Sequence, residues 1–133
     1  MTLHLDQATA LVSAAIDGGA RRGETVCAAV TDAAGNLIAF GRSIGAPIPA
    51  IEITIGKAYT AGTLGAPTAA LQAAVAPGGA LYGLLDAARA RPVVVLPGGA
   101  AILADGVRVG GLGVGGSADP ATDQAIADEV TAG

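Results

Sequence analysis

The feature that most constrains this chain is the dipeptide Asp105-Gly106 with a glycine-rich run behind it. AILA (residues 101–104) and VRVGGLGVGG (residues 107–116) flank the dipeptide. Asp-Gly between two apolar runs is the strongest short-range hairpin signal, because both residues accept the left-handed backbone of a tight turn. The second arm is then a strand with glycine at 110, 111, 113, 115 and 116. Glycines in a strand let another backbone or a ligand come close. Gly111 to Gly116 also spells G-x-G-x-x-G, a dinucleotide fingerprint. Such a turn follows a strand, opens a helix within a parallel βαβ unit and has an acid about 20 residues further on. Here the run is the arm of a hairpin, and residues 117–133 are expected to hold neither the second parallel strand nor that acid. No Lys-Ser or Lys-Thr follows to make a Walker loop.

The rest of the chain is read outward from that hairpin. Leu5, Ala8, Leu11, Val12, Ala15 and Ile16 recur at helical spacing, so residues 5–20 predict an amphipathic helix ending at Gly18-Gly19. ETVCAAVTDAAGNLIAFGR (24–42) predicts a hairpin turning at Asp32 to Asn36. Pro47 and Pro49 precede a helix in IEITIGKAYTAGTL (51–64), which Gly65 ends. PTAALQAAV predicts a short helix with Pro67 in its first turn. LYGLLDAARA follows as a short segment, and PVVVL (92–96) is expected to be a buried strand. DPATDQAIADEV predicts a last helix with Asp119 as N-cap and Pro120 at its first position. The expected order is α-β-β-α-α-β-β-β-α, an α+β domain of mostly antiparallel sheet with helices packed on it.

Composition narrows the partners. A chain of 133 residues is expected to be one domain with its own core. Hydrophobic residues are 52% of it but aromatics only 2%, so small aliphatic side chains build that core. A homo-oligomer that buries further surface is expected. The net charge of −4, without a basic run, argues against nucleic acid and against an anionic membrane surface. MTLHLDQA lacks the features of a signal peptide, which makes the cytoplasm the expected location. Cys27, the single cysteine, sits in the apolar run TVCAAV and is expected to be a core thiol.

Five stretches taken together resemble the GlcG/HbpS-like family, also called the heme-degrading domain family. They are AAVTDAAGNLIAFGR with Asp32, Gly35 and Arg42; GAPIPAIEITIGKAYTA with Lys57-Ala58 and Thr60-Ala61; PGGALYG; LPGGAAILADGVRVGGLGVGG; and Asp123 of the last helix. The resemblance covers roughly residues 3–130. It implies a profilin-like α/β fold with a five-stranded antiparallel sheet, and assembly as dimers to octamers. It also implies a link to haem in some members and to cobalamin-processing enzymes in others. Two departures stand out. Gly98-Gly99-Ala100-Ala101-Ile102 lacks the proline of the family's G-G-V-P-I, and Gly113-Val114-Gly115-Gly116 lacks the hydroxyl of its G-V-S-G.

Candidate site residues follow from chemistry. Haem iron takes His, Cys, Met or Tyr. His4 reads as a solvated residue near the chain start, Met1 as the initiator and Cys27 as core, which leaves Tyr59 and Tyr82. Glu52 and Lys57 are charged residues inside an apolar helix, and Arg42 ends the strand before it. Such a junction could bind a carboxylate through Lys57 and Arg42, with Glu52 or Tyr59 as acid or base. Solvated or interface salt-bridging residues are the alternative. Gly98, Gly99, Gly115, Gly116 and Ser117 would line the pocket, together with Tyr82. Asp32 is expected to serve its turn. Asp86, Arg89 and Arg91 are expected on a solvated helical face and at a strand entrance, and Asp119, Asp123 and Asp128 at the N-terminus and exposed face of the last helix. No metal site is expected. Three readings stand: an accessory protein binding haem or another anionic organic cofactor or metabolite at a subunit boundary; a cofactor-independent enzyme acting on a carboxylated or carbonyl metabolite; and a structural oligomerisation module.

Overall fold

The computed structural model describes residues 2–133. The elements are α1 (Leu5–Arg21), β1 (Cys27–Asp32), β2 (Leu37–Arg42), α2 (Ala50–Leu64), α3 (Thr68–Val75), α4 (Leu84–Ala87), β3 (Gly99–Ala104), β4 (Val107–Gly115) and α5 (Pro120–Ala132). One antiparallel sheet runs in the order β2-β1-β4-β3. Helix α2 covers one face, while α1 and α5 cover the other. The class and the two hairpins agree with the sequence. Asp105 and Gly106 take φ of 51° and 76°, the left-handed pair that their hairpin needs.

Strand alternation sorts the core between the two faces. Ala28, Val30, Leu112 and Val114 point toward α1 and α5, where Ala8, Val12, Ala15, Ile126 and Ala127 complete an aliphatic core. The opposite face carries the cross-strand pairs Cys27–Gly115, Ala29–Gly113 and Thr31–Gly111. It is nearly bare of side chains, and α2 lies directly on it. A Cβ at Gly113 would stand 2.2 Å from the Thr54 carbonyl oxygen, and one at Gly111 would stand 2.5 Å from the Gly62 nitrogen. The glycine run is therefore a docking strip where helix backbone meets strand backbone. Val107–Gly115 is sheet throughout, so no phosphate-binding turn forms there.

Two expectations need correction. Residues 92–96 are not a fifth strand, so the sheet among the described residues has four. Pro92 and Pro97 bracket the segment, and prolines lack the N–H that a ladder needs. It runs as a strap across α2 and α3 instead. The Val94 N–H donates to Thr60 Oγ1 at 2.8 Å, and Thr68 Oγ1 donates to the Leu96 carbonyl at 2.7 Å. The run is also less buried than expected: Val93, Val94 and Val95 are half-buried, and Pro92 and Leu96 are exposed. Helix α1 also continues past Gly18-Gly19 to Arg21. Those glycines serve close packing: a Cβ at Gly19 would stand 2.9 Å from Val26, and one at Gly18 would stand 3.2 Å from Ile126.

Candidate functional site

The candidate residues separate into two places on either side of α2. The outer place is a cleft of about 350 Å³, at the small end of the ~300–1,000 Å³ typical of ligand pockets. Glu52 and Tyr59 stand seven residues apart on α2, close to two full turns, so both line this cleft. Ile53, Ile55, Leu37, Pro92 and Val94 make its walls mostly apolar. The Tyr59 ring fits because Gly35, at φ 85°, has no side chain: a Cβ there would overlap the ring. Arg91 closes one side. Its guanidinium carbon lies 4.4 Å from the centre of the Tyr59 ring, a cation–π stack. It donates to the Gly35 carbonyl and, at 3.4 Å, to Asn36 Oδ1. The turn that supplies these acceptors is held by Asp32, whose Oδ1 accepts from the N–H groups of Ala34 and Asn36. Burial would raise the Asp32 pKa, but these bonds and Arg91 hold it below the ordinary carboxylate value.

The inner place is buried. Lys57 is 2% exposed, and its Nζ donates to the Val114 carbonyl at 2.9 Å. Asp123, expected on a solvated helix face, is 1% exposed and puts Oδ2 3.6 Å from that Nζ. Its Oδ1 accepts from the Ser117 N–H at 3.2 Å. Burial pushes the Lys57 pKa down and the Asp123 pKa up, and their mutual attraction opposes both shifts. The sequence offered Lys57 to an outside anion, whereas the fold already supplies one within the molecule.

The loop glycines belong to the same interior. The Gly98 N–H donates to Gln124 Oε1 and the Gly99 N–H to Thr68 Oγ1, both at 2.8 Å. Gln124 Nε2 returns a bond to the Gly99 carbonyl at 2.9 Å. The amides around the start of α5 are likewise taken: Ser117 N–H by Asp123, Ala118 N–H by Glu24 and Ala121 N–H by the N-cap Asp119. Gly115 ends β4 against Thr54, and Gly116, at φ 106°, turns the chain over Pro47 and Ala50. The remaining candidates stand apart. Arg42 is exposed at the end of β2. Tyr82 lies in a shallow depression of about 240 Å³ with Val75, Leu85 and Asp86. His4 is exposed at the start of α1, Cys27 is buried against Ala46 and Ala50, and Met1 lies outside the described residues.

Arg91, Gln124 and Thr54 did not stand out in the sequence, and Asp123 did so only through the family resemblance, its helix face being expected in solvent. Asp123 had a signal, since it shares the i, i+3, i+4 face of α5 with the buried Ile126 and Ala127. Arg91 had none: its role depends on a strap that local pattern does not describe.

Comparison with known proteins places the chain among relatives. It is 31% identical to the crystal structure of a PduOC:heme complex, with a TM-score of 0.91 over 99% of this chain and 94% of the other. An HbpS double mutant of Streptomyces reticuli is 30% identical, with a TM-score of 0.88 over 99% of this chain and 86% of the other. The corrinoid adenosyltransferase PduO of Salmonella typhimurium strain LT2 is 34% identical over 106 residues, 80% of this chain but 31% of that protein. The uncharacterized 15.0 kDa protein of the dhaT-dhaS intergenic region of Citrobacter freundii is 36% identical over 87 residues, 65% of this chain and 61% of that one. The chain thus spans under two thirds of the length of these curated relatives. Residues 3–132 match the model of the haem degrading protein HbpS-like family, and the chain belongs to that family.

Proposed function

We propose that this chain is a small-ligand-binding accessory protein whose Tyr59–Arg91 cleft receives a flat organic molecule carrying an anionic group. One observation carries this reading: an apolar cleft with a single guanidinium laid across its aromatic wall. The apolar walls would take the body of the ligand, and Arg91 its carboxylate. Haem belongs to that class, and the relative solved as a PduOC:heme complex supports it. Of the residues lining the cleft, Tyr59 carries the phenol that can hold haem iron, and Arg91 would pair with a propionate. The bound group would supply the redox or ligand chemistry, while the protein holds and orients it. In this reading the protein is a cytoplasmic homo-oligomer and the cleft lies at its subunit boundary. Supporting that placement, Leu37 on its rim is 47% exposed, and Leu64, Leu81, Tyr82, Leu85 and Leu96 are exposed elsewhere. No described helix is long and apolar enough to cross a membrane.

Titration with hemin tests the reading. A saturable Soret shift at micromolar protein is expected. It should change form in Tyr59→Phe and weaken about tenfold in Arg91→Ala, the loss of one charge-assisted bond. An absent shift would sink the haem assignment. A second reading rests on Glu52 and Tyr59 lining the same cleft as Arg91: a cofactor-independent enzyme on a carboxylated or carbonyl metabolite. In that case Glu52→Gln would abolish turnover while ligand binding persists.

A further inference from the structure

The interior site holds buried polar groups with unmade hydrogen bonds. Thr54 is fully buried, and its Oγ1 is the one buried side-chain polar atom among the described residues without a hydrogen-bond partner. Lys57 Nζ uses one of its three protons on the Val114 carbonyl. Its distance of 3.6 Å to Asp123 Oδ2 is beyond a hydrogen bond, so that oxygen has no close donor from Lys57. Gly115 ties the groups together, since a Cβ there would lie 2.3 Å from Thr54 Oγ1 and 3.4 Å from Lys57 Nζ. Thr54 Oγ1 and Lys57 Nζ thus both lie beside Gly115, and Asp123 Oδ2 lies next to that Nζ.

Electrostatics selects what fits. Lys57 and Asp123 already neutralise each other, so an added anion would meet Asp123 without a free counter-charge. An oxygen that both accepts, from Lys57 or Thr54, and donates, to Asp123, satisfies all three. Only a hydroxyl oxygen does this; a carbonyl cannot donate. We propose that Thr54, Lys57 and Asp123 form a buried receiving site for one hydroxyl oxygen, either a water molecule or the hydroxyl of a small alcohol. This site is separate from the Tyr59–Arg91 cleft and stands whether or not that cleft binds a ligand. Its route to solvent would pass Ser117, which is half-buried and bonded to Asp123, beside Gly116 and Pro47.

A high-resolution crystal structure of the full chain tests the proposal. The expected result is an isolated oxygen peak within about 2.6–3.2 Å of Thr54 Oγ1, Lys57 Nζ and Asp123 Oδ2. Crystals soaked in ethanol separate the two sources. A peak that stays single assigns water, and one that extends by two carbons assigns an alcohol. No peak within reach of the three groups overturns the proposal. Thr54→Val gives an independent reading. If the hydroxyl holds a bound oxygen, the valine lowers the Tm by about 4 °C and the peak is lost. If the hydroxyl is an orphan, the valine relieves its burial and raises the Tm, which also overturns the proposal. Should Thr54→Val fail to fold, Thr54→Ser keeps the hydroxyl and must retain the peak.

Discussion

Replacing Asp123 by Asn removes the anion that faces Lys57 and leaves the ammonium buried. Lys57 is 2% exposed, and its remaining protein partner is one carbonyl. Breaking a buried pair in this way costs about 3–5 kcal/mol, because the surviving charge is left buried without a counter-charge. An unfolding entropy of about 2.1 cal/mol/K per residue implies a fall in Tm of roughly 11–18 °C for a chain this long. The pH dependence identifies the cause. Burial already lowers the Lys57 pKa, and losing Asp123 lowers it further. Between that folded pKa and the ordinary lysine value of 10.5, the unfolded chain binds a proton that the folded chain does not. Stability of Asp123→Asn should therefore rise with pH by up to about 1.4 kcal/mol per unit in that window, more steeply than in the wild type. Thermal melts followed by circular dichroism from pH 6 to pH 10 measure both quantities. The double replacement Lys57→Met with Asp123→Leu removes both charges and should recover most of the loss. A cost below about 1 kcal/mol with no added pH slope would show that solvent reaches the pair and refute this reasoning.

Two further perturbations probe the scaffold. Gly113→Ala drives a Cβ against the Thr54 carbonyl, so α2 must lift from the sheet. It should cost about 1–3 kcal/mol or more by overpacking, and more than Gly106→Ala, where φ is 76° but nothing lies within 4 Å. Denaturant melts giving the reverse order would contradict the docking-strip account. Asp32→Asn should remove stability that the wild type holds above pH 3.8 and loses as the pH falls through the lowered folded pKa of this carboxyl. The two proteins should converge in acid, and a constant offset down to pH 2 would argue against it.

What the sequence revealed and concealed follows from how far each signal reaches. Helix α5 announced itself through Asp119 and Pro120, and both hairpins through Asp105-Gly106 and Asp32 to Asn36, because capping and turn chemistry act over a few residues. PVVVL misleads because a short apolar run suits a half-buried strap as well as a buried strand, and only the flanking Pro92 and Pro97 speak against a ladder. Lys57 was singled out as a charge in an apolar helix, yet its partner lies 66 residues away on α5 and no local pattern joins them.

The glycine run shows how one local fact governs both candidate places. Gly111 and Gly113 admit α2 to backbone contact with the sheet, and Gly115 leaves room for the Thr54 and Lys57 side chains. That close seat brings Thr54 and Lys57 to the end of β4, where Asp123 meets them. The same seat turns Glu52 and Tyr59 outward, toward the strap that carries Arg91. A larger side chain on this strip would displace the inner and outer groups together, because both ride on one helix. The two places are therefore geometrically linked through α2, even though Lys57 and Tyr59 point to opposite sides of it. Any motion of α2 along the strip would change the spacing of Lys57 and Asp123 and the width of the Tyr59 cleft at once. Ligand entry at the cleft should then alter the protection of Lys57, a coupling that needs no shared contact, only a shared helix.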